Sequence, residues 1–383
     1  MANDNEITIN QVDIQENYIL KNYGEAVLKR LLKDHTTSRT RKKDDGEYTF
    51  IIWATDKYEP LGTGYHFHDE ITIERITGKN SGVIKPRVVK SREEQQRRVR
   101  DKAEVFTPSW VCNKQNNLID EAWFGRKNVF NSEIDNPDGS HTWHTTEGKI
   151  AFPNDSEKTW QRYVEDTRLE ITCGEAPYLV SRYDTITGEF IYPLNARIGL
   201  LDRKFRVINE NVNDRAEWEY WAKIALQSTY GYEWQGDSLL IARENLLFTF
   251  IDNYRDKFQS EPSKRLLQYV AYVISWNIWQ MDGLKFVVPR SCENANPKPV
   301  SVQMSLFAEP EIEPFQKSIC DGCTTGDNTK HDGDYCMIRD WKAKKKSEND
   351  CSEDEDTETI KLYINLTTTN TKIAKKIDNQ IIR

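Results

Sequence analysis

The sequence predicts a mixed α/β protein in which short strands and helices alternate through the central part of the chain. Residues 96–290 are dense in aromatic side chains and contain β-like runs separated by helical patterns. Residues 239–254 (LLIARENLLFTFIDNY) have the pattern of a strong amphipathic helix. Residues 266–280 begin as an apolar helix and end in a strand-like run. With 11 tryptophans, 17 tyrosines and 14 phenylalanines, the chain can build a sizeable core, which excludes global disorder.

Composition shifts divide the chain into five predicted regions. The helical spacing of residues 17–33, followed by β-like runs at 48–55 and 68–78, indicates a small α+β region at the N-terminus. The predicted regions are this α+β region with its basic linker (1–95), the α/β core (96–290), a linker rich in Pro, Asn and Glu (291–316), a Cys/His module (317–342), and a tail expected to be disordered or weakly ordered (343–383).

Charge and cysteine usage limit the class of protein. The net charge is -8, and no apolar run approaches the roughly 18 residues of a membrane-spanning helix. The first residues lack the basic flank and apolar core of a signal peptide. Seven cysteines is an odd number, so a disulfide framework is not expected and a reducing cytoplasm fits better. Residues 85–102 hold eight basic and three acidic residues, which indicates either a solvated helix face or a surface that contacts nucleic-acid phosphates.

Two segments have the features of a cofactor-binding loop. An aromatic-Thr-Pro turn precedes a helical pattern, with Thr107 as N-cap candidate and Pro108 at the first helical position. Further along, a strand-like RLEIT leads into Cys173-Gly174 and a helix-like PYLVSRY. A small-residue loop after a strand allows backbone N–H groups to approach a ligand closely. Taken alone, each segment is also compatible with an ordinary turn.

Two acidic residues follow β-like runs in the second half of the core. Glu233 ends one run, a few residues before the amphipathic helix, where a carboxylate can accept both hydroxyls of a ribose. Asp282 follows the next run, where it can accept a hydrogen bond from an adenine amino group. Taken singly, they are compatible with a solvated surface acid and a turn aspartate.

Together, in order and spacing, AEVFTP, LEITCGEAPYL, YGYEWQGDSLLIARENLL and NIWQMDGL resemble the γ-type adenine-N6 DNA methyltransferases of restriction-modification systems (restriction endonuclease subunit M-like proteins). The resemblance covers roughly residues 95–290. It implies a Rossmann-like sheet that binds S-adenosylmethionine. By motif match it assigns Phe106, Thr107 and Pro108 to the methionine end, Glu170, Cys173 and Gly174 to the first loop, Glu233 to the ribose and Asp282 to the adenine.

The chain departs from this family in four places. Ala176 stands where the family has the second glycine of the first loop, and insertions are expected between residues 106 and 170 and between the first loop and Glu233. The family's catalytic Asn/Asp-Pro-Pro-Tyr/Phe motif, expected after Asp282, is missing, so no catalytic residue is assigned. The resemblance therefore leaves three possibilities: a truncated or split enzyme, an enzyme whose catalytic and target-recognition elements come from a partner chain, or a DNA- and cofactor-binding protein that acts without methylation as a restriction or anti-restriction component.

A Cys/His pattern near the C-terminus predicts a metal site independently. Cys320, Cys323, His331 and Cys336 offer three thiolates and one imidazole, which is a complete ligand set for tetrahedral zinc. Four protein ligands leave no open position, so a structural role is expected. The alternative is a surface segment with unpaired cysteines. A third hypothesis for the whole chain is a zinc-dependent interaction scaffold with an inert core.

Overall fold

The centre of the molecule is a four-stranded parallel sheet. The computed structural model describes residues 16–40, 49–90, 107–293, 319–342, 360–368 and 381–382. In these ranges the strands are β1 (Asn131–Asp135), β2 (His141–Thr145), β3 (Arg168–Glu170), β4 (Thr229–Glu233), β5 (Ile278–Gln280), β6 (Met337–Arg339), β7 (Ile360–Leu362) and β8 (Ile381–Ile382). The central sheet has the order β5-β4-β3-β8, and all of its neighbours are parallel. Strands β1–β2 and β6–β7 form separate antiparallel pairs.

Helices account for most of the remaining regular structure in these ranges. The α-helices are α1 (Glu16–Tyr23), α2 (Glu25–Leu32), α3 (Thr37–Thr40), α4 (Ile73–Ile76), α5 (Ser109–Phe124), α6 (Trp160–Glu165), α7 (Leu200–Asn211), α8 (Arg215–Gln227), α9 (Gly236–Phe258), α10 (Lys264–Asn277), α11 (Asp321–Thr325) and α12 (Tyr363–Thr368). None of them is long and apolar enough to cross a lipid bilayer. The class predicted from the sequence, a mixed α/β fold, is confirmed at this level.

The two faces of the central sheet pack against different layers. Because successive side chains of a strand point to opposite faces, Ile278 joins the large core formed with the helices, whereas Leu169 and Trp279 join a second apolar cluster. That second cluster includes Ile338 of β6 and Tyr363 of α12. The β6–β7 pair therefore lies over the face of the sheet that the main helical layer does not cover.

The N-terminal residues pack into the same core as the sheet. Ile52 and Gln280 of β5 exchange two hydrogen bonds, with Ile52 N–H donating to Oε1 at 2.9 Å and Nε2 donating to the Ile52 carbonyl at 2.8 Å. The Gly236 N–H at the start of α9 donates to the Trp53 carbonyl at 3.0 Å. A Cβ on Gly236 would lie 2.1 Å from the Ile52 carbonyl oxygen, so this close approach requires glycine.

Buried ion pairs connect the helical layer internally. Asp252 of α9 accepts from Arg182 at 3.1 Å and from Arg197 at 2.8 Å. Burial raises the pKa of Asp252, but the two guanidiniums outweigh it and leave this pKa below its usual value. Arg203 of α7 pairs with Asp120 of α5 at 2.5 Å. A broken pair of this kind leaves an uncompensated buried charge, so these contacts fix how the helices sit against one another.

Several sequence predictions hold for the type of element. Helix α9 and the helix-to-strand transition from α10 into β5 lie where the periodicity placed them. The predicted helix over 17–33 is present as two helices, because Gly24 adopts a φ of 94° between them. The tail prediction falls largely outside the described residues, although β7, α12 and β8 belong to it.

Other predictions of secondary structure are wrong. Residues 73–76, predicted as β-like, form α4. Residues 177–183 form turns rather than the expected helix, and the next α-helix begins at Leu200. Helix α5 begins one residue later than predicted, with Pro108 at the N-cap position. The Asp184 carboxylate, rather than Thr107, accepts from the Ser109 N–H, at 3.1 Å.

Candidate cofactor site and metal centre

The loop that follows β3 is closed by the last residue of the strand. The buried Glu170 carboxylate accepts hydrogen bonds from the N–H groups of Tyr178 at 3.4 Å and Leu179 at 3.2 Å. Between Glu170 and Tyr178 the backbone takes positive φ angles at Thr172 (46°), Gly174 (54°) and Ala176 (64°). Ala176 therefore adopts the left-handed conformation that favours glycine, at the position where the resembled family has one.

Glu233, at the end of β4, connects this loop to the adjacent strand. Its carboxylate accepts from the Gly174 N–H at 2.8 Å and from the Gln235 N–H at 3.1 Å. The Cys173 N–H donates to the Tyr232 carbonyl at 2.8 Å. The loop after β3 thus rests directly on the carboxyl end of β4.

Asp282 lies just beyond β5, at the same edge of the sheet. It is buried, and its Oδ1 accepts from the N–H groups of Leu284 at 2.9 Å and Lys285 at 3.2 Å. Its own N–H donates to the Val287 carbonyl at 2.8 Å. The carboxylate therefore organises a tight turn, in agreement with the turn aspartate that the sequence also allowed.

The predicted Phe-Thr-Pro segment lies beside the residues that follow the loop. Phe106 is outside the described residues. The Thr107 carbonyl accepts from the Thr185 hydroxyl at 2.9 Å, and Pro108 occupies the N-cap position of α5. Asn116 of α5 donates to the Tyr178 carbonyl at 3.0 Å. The first turns of α5 are thereby held against the chain that leaves the loop.

The electrostatics of this edge are governed by burial. Desolvation raises the pKa of Glu170 well above its ordinary value, although the N–H groups of Tyr178 and Leu179 oppose the shift. Burial likewise raises the pKa of Glu233, against the N–H groups of Gly174 and Gln235. Two acids that are held near each other in a desolvated edge favour a ligand that brings hydrogen-bond donors to them.

Four residues near the C-terminus form a metal-ligand cluster. The ligand atoms of Cys292, Cys320, Cys323 and His331 all lie within 4.8 Å of one another. The His331 Nδ1 atom is 3.7, 3.6 and 3.7 Å from the sulfur atoms of Cys292, Cys320 and Cys323. Tetrahedral zinc, with Zn–S of about 2.3 Å and Zn–N of about 2.0–2.1 Å, places S and N ligands about 3.6 Å apart. The cluster can therefore hold a metal ion such as zinc.

Local backbone packing brings these ligands together. A Cβ on Gly322 would lie 2.6 Å from His331 Nδ1, and a Cβ on Gly333 would lie 2.9 Å from Cys292 Sγ. The Cys320 Sγ accepts from the Asp332 N–H at 3.2 Å. Both glycines therefore allow chain segments to approach the ligand atoms more closely than any side chain would permit.

The environment of the metal-ligand cluster also favours thiolate and orients the imidazole. Burial opposes ionisation of Cys320, but the N–H groups of Asp332 and Cys323 outweigh it and lower the pKa of this thiol to about 6. The Nε2 atom of His331 faces Asn328 Oδ1 at 3.4 Å. A polar partner on the second ring nitrogen is the usual way in which proteins orient a metal-binding histidine.

The fourth ligand predicted from the sequence needs correction. Cys336 is fully buried in the second apolar cluster, and its sulfur faces the Gln280 carbonyl at 3.3 Å. Cys292 takes its place in the metal-ligand cluster. It reaches the cluster because the Val288 N–H donates to the Asp334 carbonyl at 2.9 Å, which lays the chain after β5 beside the module. Spacing could not reveal this ligand, because residues 293–319 separate it from the Cys-x2-Cys pair.

The other sequence-predicted contacts fall largely outside the described residues. In the basic stretch 85–102 only residues 85–90 are described; there Lys90 is buried, and the Arg87 N–H donates to Glu175 at 2.7 Å. Lys90 is therefore unsuited to contact a phosphate in this arrangement.

Comparison with known proteins adds no family to this description. No family model matches the chain, and no curated protein or solved structure matches it.

Proposed function

We propose that the chain is the S-adenosylmethionine-binding component of an adenine-N6 DNA methyltransferase system, with its cofactor pocket at the carboxyl edge of a Rossmann-like sheet. One observation carries the proposal. Glu170, Gly174, Glu233 and Asp282, which the family resemblance assigns to the cofactor, fall at the carboxyl ends of three adjacent parallel strands. Sequence order alone does not require this convergence.

The strand order supports the same edge. In open α/β sheets, ligands bind outside the carboxyl ends of the strands, where the order of the strands reverses. Here β4 and β5 lie on one side of β3, and β8 lies on the other. The reversal is therefore beside β3, the strand that leads into the loop of Cys173 and Gly174.

The loop residues suit a nucleoside cofactor in their conformation. Gly174 and Ala176 both adopt positive φ, so the departure from the family glycine at Ala176 preserves the loop shape. A carboxylate has about four lone-pair sites, so Glu233 can hold the Gly174 N–H and still accept a ribose hydroxyl. When bound, S-adenosylmethionine supplies the methyl group on its sulfonium. The residues named here bind and orient it, and none of them is assigned to the transfer itself.

Zinc is the metal we propose for the Cys292, Cys320, Cys323 and His331 cluster. Three thiolates and one imidazole form a closed tetrahedral set. No position is left open for a substrate, so we assign the metal a structural role. In a DNA-bound complex this module and the basic residues of the stretch 85–102 other than Lys90 would contribute phosphate contacts.

A second candidate function is a DNA- and cofactor-binding component that does not methylate. The sequence favours it, because the printed 383 residues contain no Asn/Asp-Pro-Pro-Tyr/Phe motif. That motif would hold the amino nitrogen of an adenine flipped out of the duplex. In the first candidate function a partner chain supplies this element.

Calorimetric titration with S-adenosylmethionine tests the shared part of both candidates. We expect micromolar binding by the wild-type chain and by Glu147→Ala, which changes an exposed glutamate. We expect at least tenfold weaker binding by Glu233→Ala and an intermediate loss for Glu233→Gln. Circular dichroism of each variant separates loss of the pocket from loss of the fold. A folded wild-type chain that does not bind would refute the proposal.

Transfer of a labelled methyl group to adenine-containing DNA then separates the two candidates. Transfer by the chain together with a partner protein that carries the Asn-Pro-Pro-Tyr motif supports the enzyme component. Cofactor binding without transfer under the same conditions supports the non-methylating component.

A further inference from the structure

A cavity of about 580 Å³ lies at the opposite edge of the central sheet from the proposed cofactor site. Its walls include Thr167 and Ser228, which precede β3 and β4, so it opens at the amino ends of these strands. Its floor includes Leu169 and Trp279, which point to the face covered by the β6–β7 pair. The volume falls within the range of about 300–1,000 Å³ that is usual for small-molecule sites.

Aromatic rings form much of the cavity wall, and their orientations are fixed. The Trp341 indole Nε1 donates to Asn277 Oδ1 at 2.8 Å, and the Arg339 guanidinium lies 4.8 Å above the same ring. Trp279 and Tyr363 contact each other with ring centroids 5.3 Å apart. Rings that are already held in place can stack on a planar ligand at a low cost in conformational entropy.

Positive charge gathers around the same cavity. Its lining contains four cationic residues (Arg162, Arg339, Lys342 and Lys361) and two carboxylates (Glu165 and Asp340). The carboxylates pair with Arg162 at 3.3 Å and with Lys361 at 2.5 Å. The Lys342 ammonium donates to the backbone carbonyl of Glu165 at 3.3 Å. The cavity therefore combines aromatic walls with an excess of cations.

We propose that this cavity binds a nucleotide, with its base against Trp341 and Trp279 and its phosphate beside Lys342 and Arg339. A planar base matches the aromatic walls, and a phosphate matches the excess of positive charge. The ligand is either a free mononucleotide or one nucleotide of a single strand. The site does not depend on the proposed cofactor pocket, which is formed by other residues at the other edge of the sheet.

Tryptophan fluorescence titration tests the proposal with two probes, AMP and a (dA)6 oligonucleotide. We expect saturable quenching by at least one of them, and equal affinity in the presence of saturating S-adenosylmethionine. Binding of AMP identifies a free nucleotide as sufficient, whereas binding of the oligonucleotide alone identifies a strand as the source. Binding of neither probe to the folded chain overturns the proposal.

Two variants and a control locate the binding. Lys342→Gln should weaken binding roughly tenfold, the size expected for one lost charge-assisted contact. Trp341→Leu should weaken nucleotide binding by a similar factor. Because this ring also packs against Arg339, thermal unfolding of the variant is measured separately to show that it remains folded. Lys127→Gln removes an exposed lysine elsewhere and should leave the affinity unchanged. If Lys342→Gln binds like the wild type, or if Lys127→Gln weakens binding equally, the nucleotide does not occupy this cavity.

Discussion

Replacement of Cys292 by serine should remove most of the metal affinity, whereas Cys336→Ser should leave it intact. The binding free energy of structural zinc in small zinc modules is about 10–16 kcal/mol. Shared equally among four ligands, this is about 2.5–4 kcal/mol each, so the dissociation constant of the variant for zinc should be about 100- to 1,000-fold larger. At saturating zinc the loss appears directly as lost stability. For a chain of 383 residues, this corresponds to a fall in Tm of about 3–5 °C. The Cys336 sulfur lies 3.3 Å from the Gln280 carbonyl, to which a serine hydroxyl can also donate. Cys336→Ser should therefore lower the free energy of unfolding by about 1–2 kcal/mol and leave the zinc content unchanged.

Zinc content by mass spectrometry and thermal unfolding with and without chelator measure these effects. The wild type and Cys336→Ser should each hold one zinc and lose stability when the chelator is added. Cys292→Ser should be purified with little zinc and should respond weakly to the chelator. The reasoning fails if Cys336→Ser loses the metal while Cys292→Ser keeps it, because the ligand set would then be the one that the sequence spacing suggested.

Three further predictions concern the core. Gly236→Ala should destabilise the chain by about 1–3 kcal/mol in denaturant unfolding, because its Cβ would lie 2.1 Å from the Ile52 carbonyl oxygen; an unchanged midpoint would contradict this close approach. Asp252→Asn should lower the free energy of unfolding by about 3–5 kcal/mol at pH 7, because it leaves two buried guanidiniums without a carboxylate. The folded-state pKa of Asp252 is lowered, so the greater stability of the wild type should persist at neutral pH and disappear only as the pH falls through that pKa. His35 stacks on Trp276 with ring centroids 4.0 Å apart, and burial lowers its pKa well below 6.5. The unfolded state therefore binds the proton more readily, and the free energy of unfolding should fall by up to about 1.4 kcal/mol per pH unit below pH 6.5. His35→Phe should abolish this slope in urea titrations at about pH 7 and 5.5.

The sequence was most informative where one local period determines the structure. Helix α9 and the passage from α10 into β5 follow from side-chain periodicity, because an apolar stripe must face the core. The residues after the loop are the counterexample. Residues 177–183 have a helical composition, but the Glu170 carboxylate takes the Tyr178 and Leu179 N–H groups and holds the chain in turns. A contact between residues eight and nine positions apart overrides the local preference there.

The candidate site divides in the same way. Glu233 and Asp282 could be placed at strand ends from the sequence, because each follows a recognisable β-like run. Their hydrogen bonds to Gly174 and to the turn after β5 could not, since these depend on which strands are neighbours. Cys292 was missed for a related reason: its position beside Cys320 is set by pairing between distant segments, and no spacing rule contains that information.

The metal-ligand cluster and the proposed cofactor edge are joined by continuous backbone pairing. The Asp282 N–H donates to the Val287 carbonyl, and Val287 in turn bridges Tyr335, four residues after His331. Five residues after Val287, Cys292 contributes its sulfur to the cluster. A metal bound there would hold the segment 282–292 at both ends. It would attach Cys292 to the module, while the backbone pairing of Val287 with Asp282 and Tyr335 holds the other end. We therefore expect metal binding in this module, which lies outside the region of family resemblance, to stabilise the Asp282 turn at the adenine end of the proposed pocket.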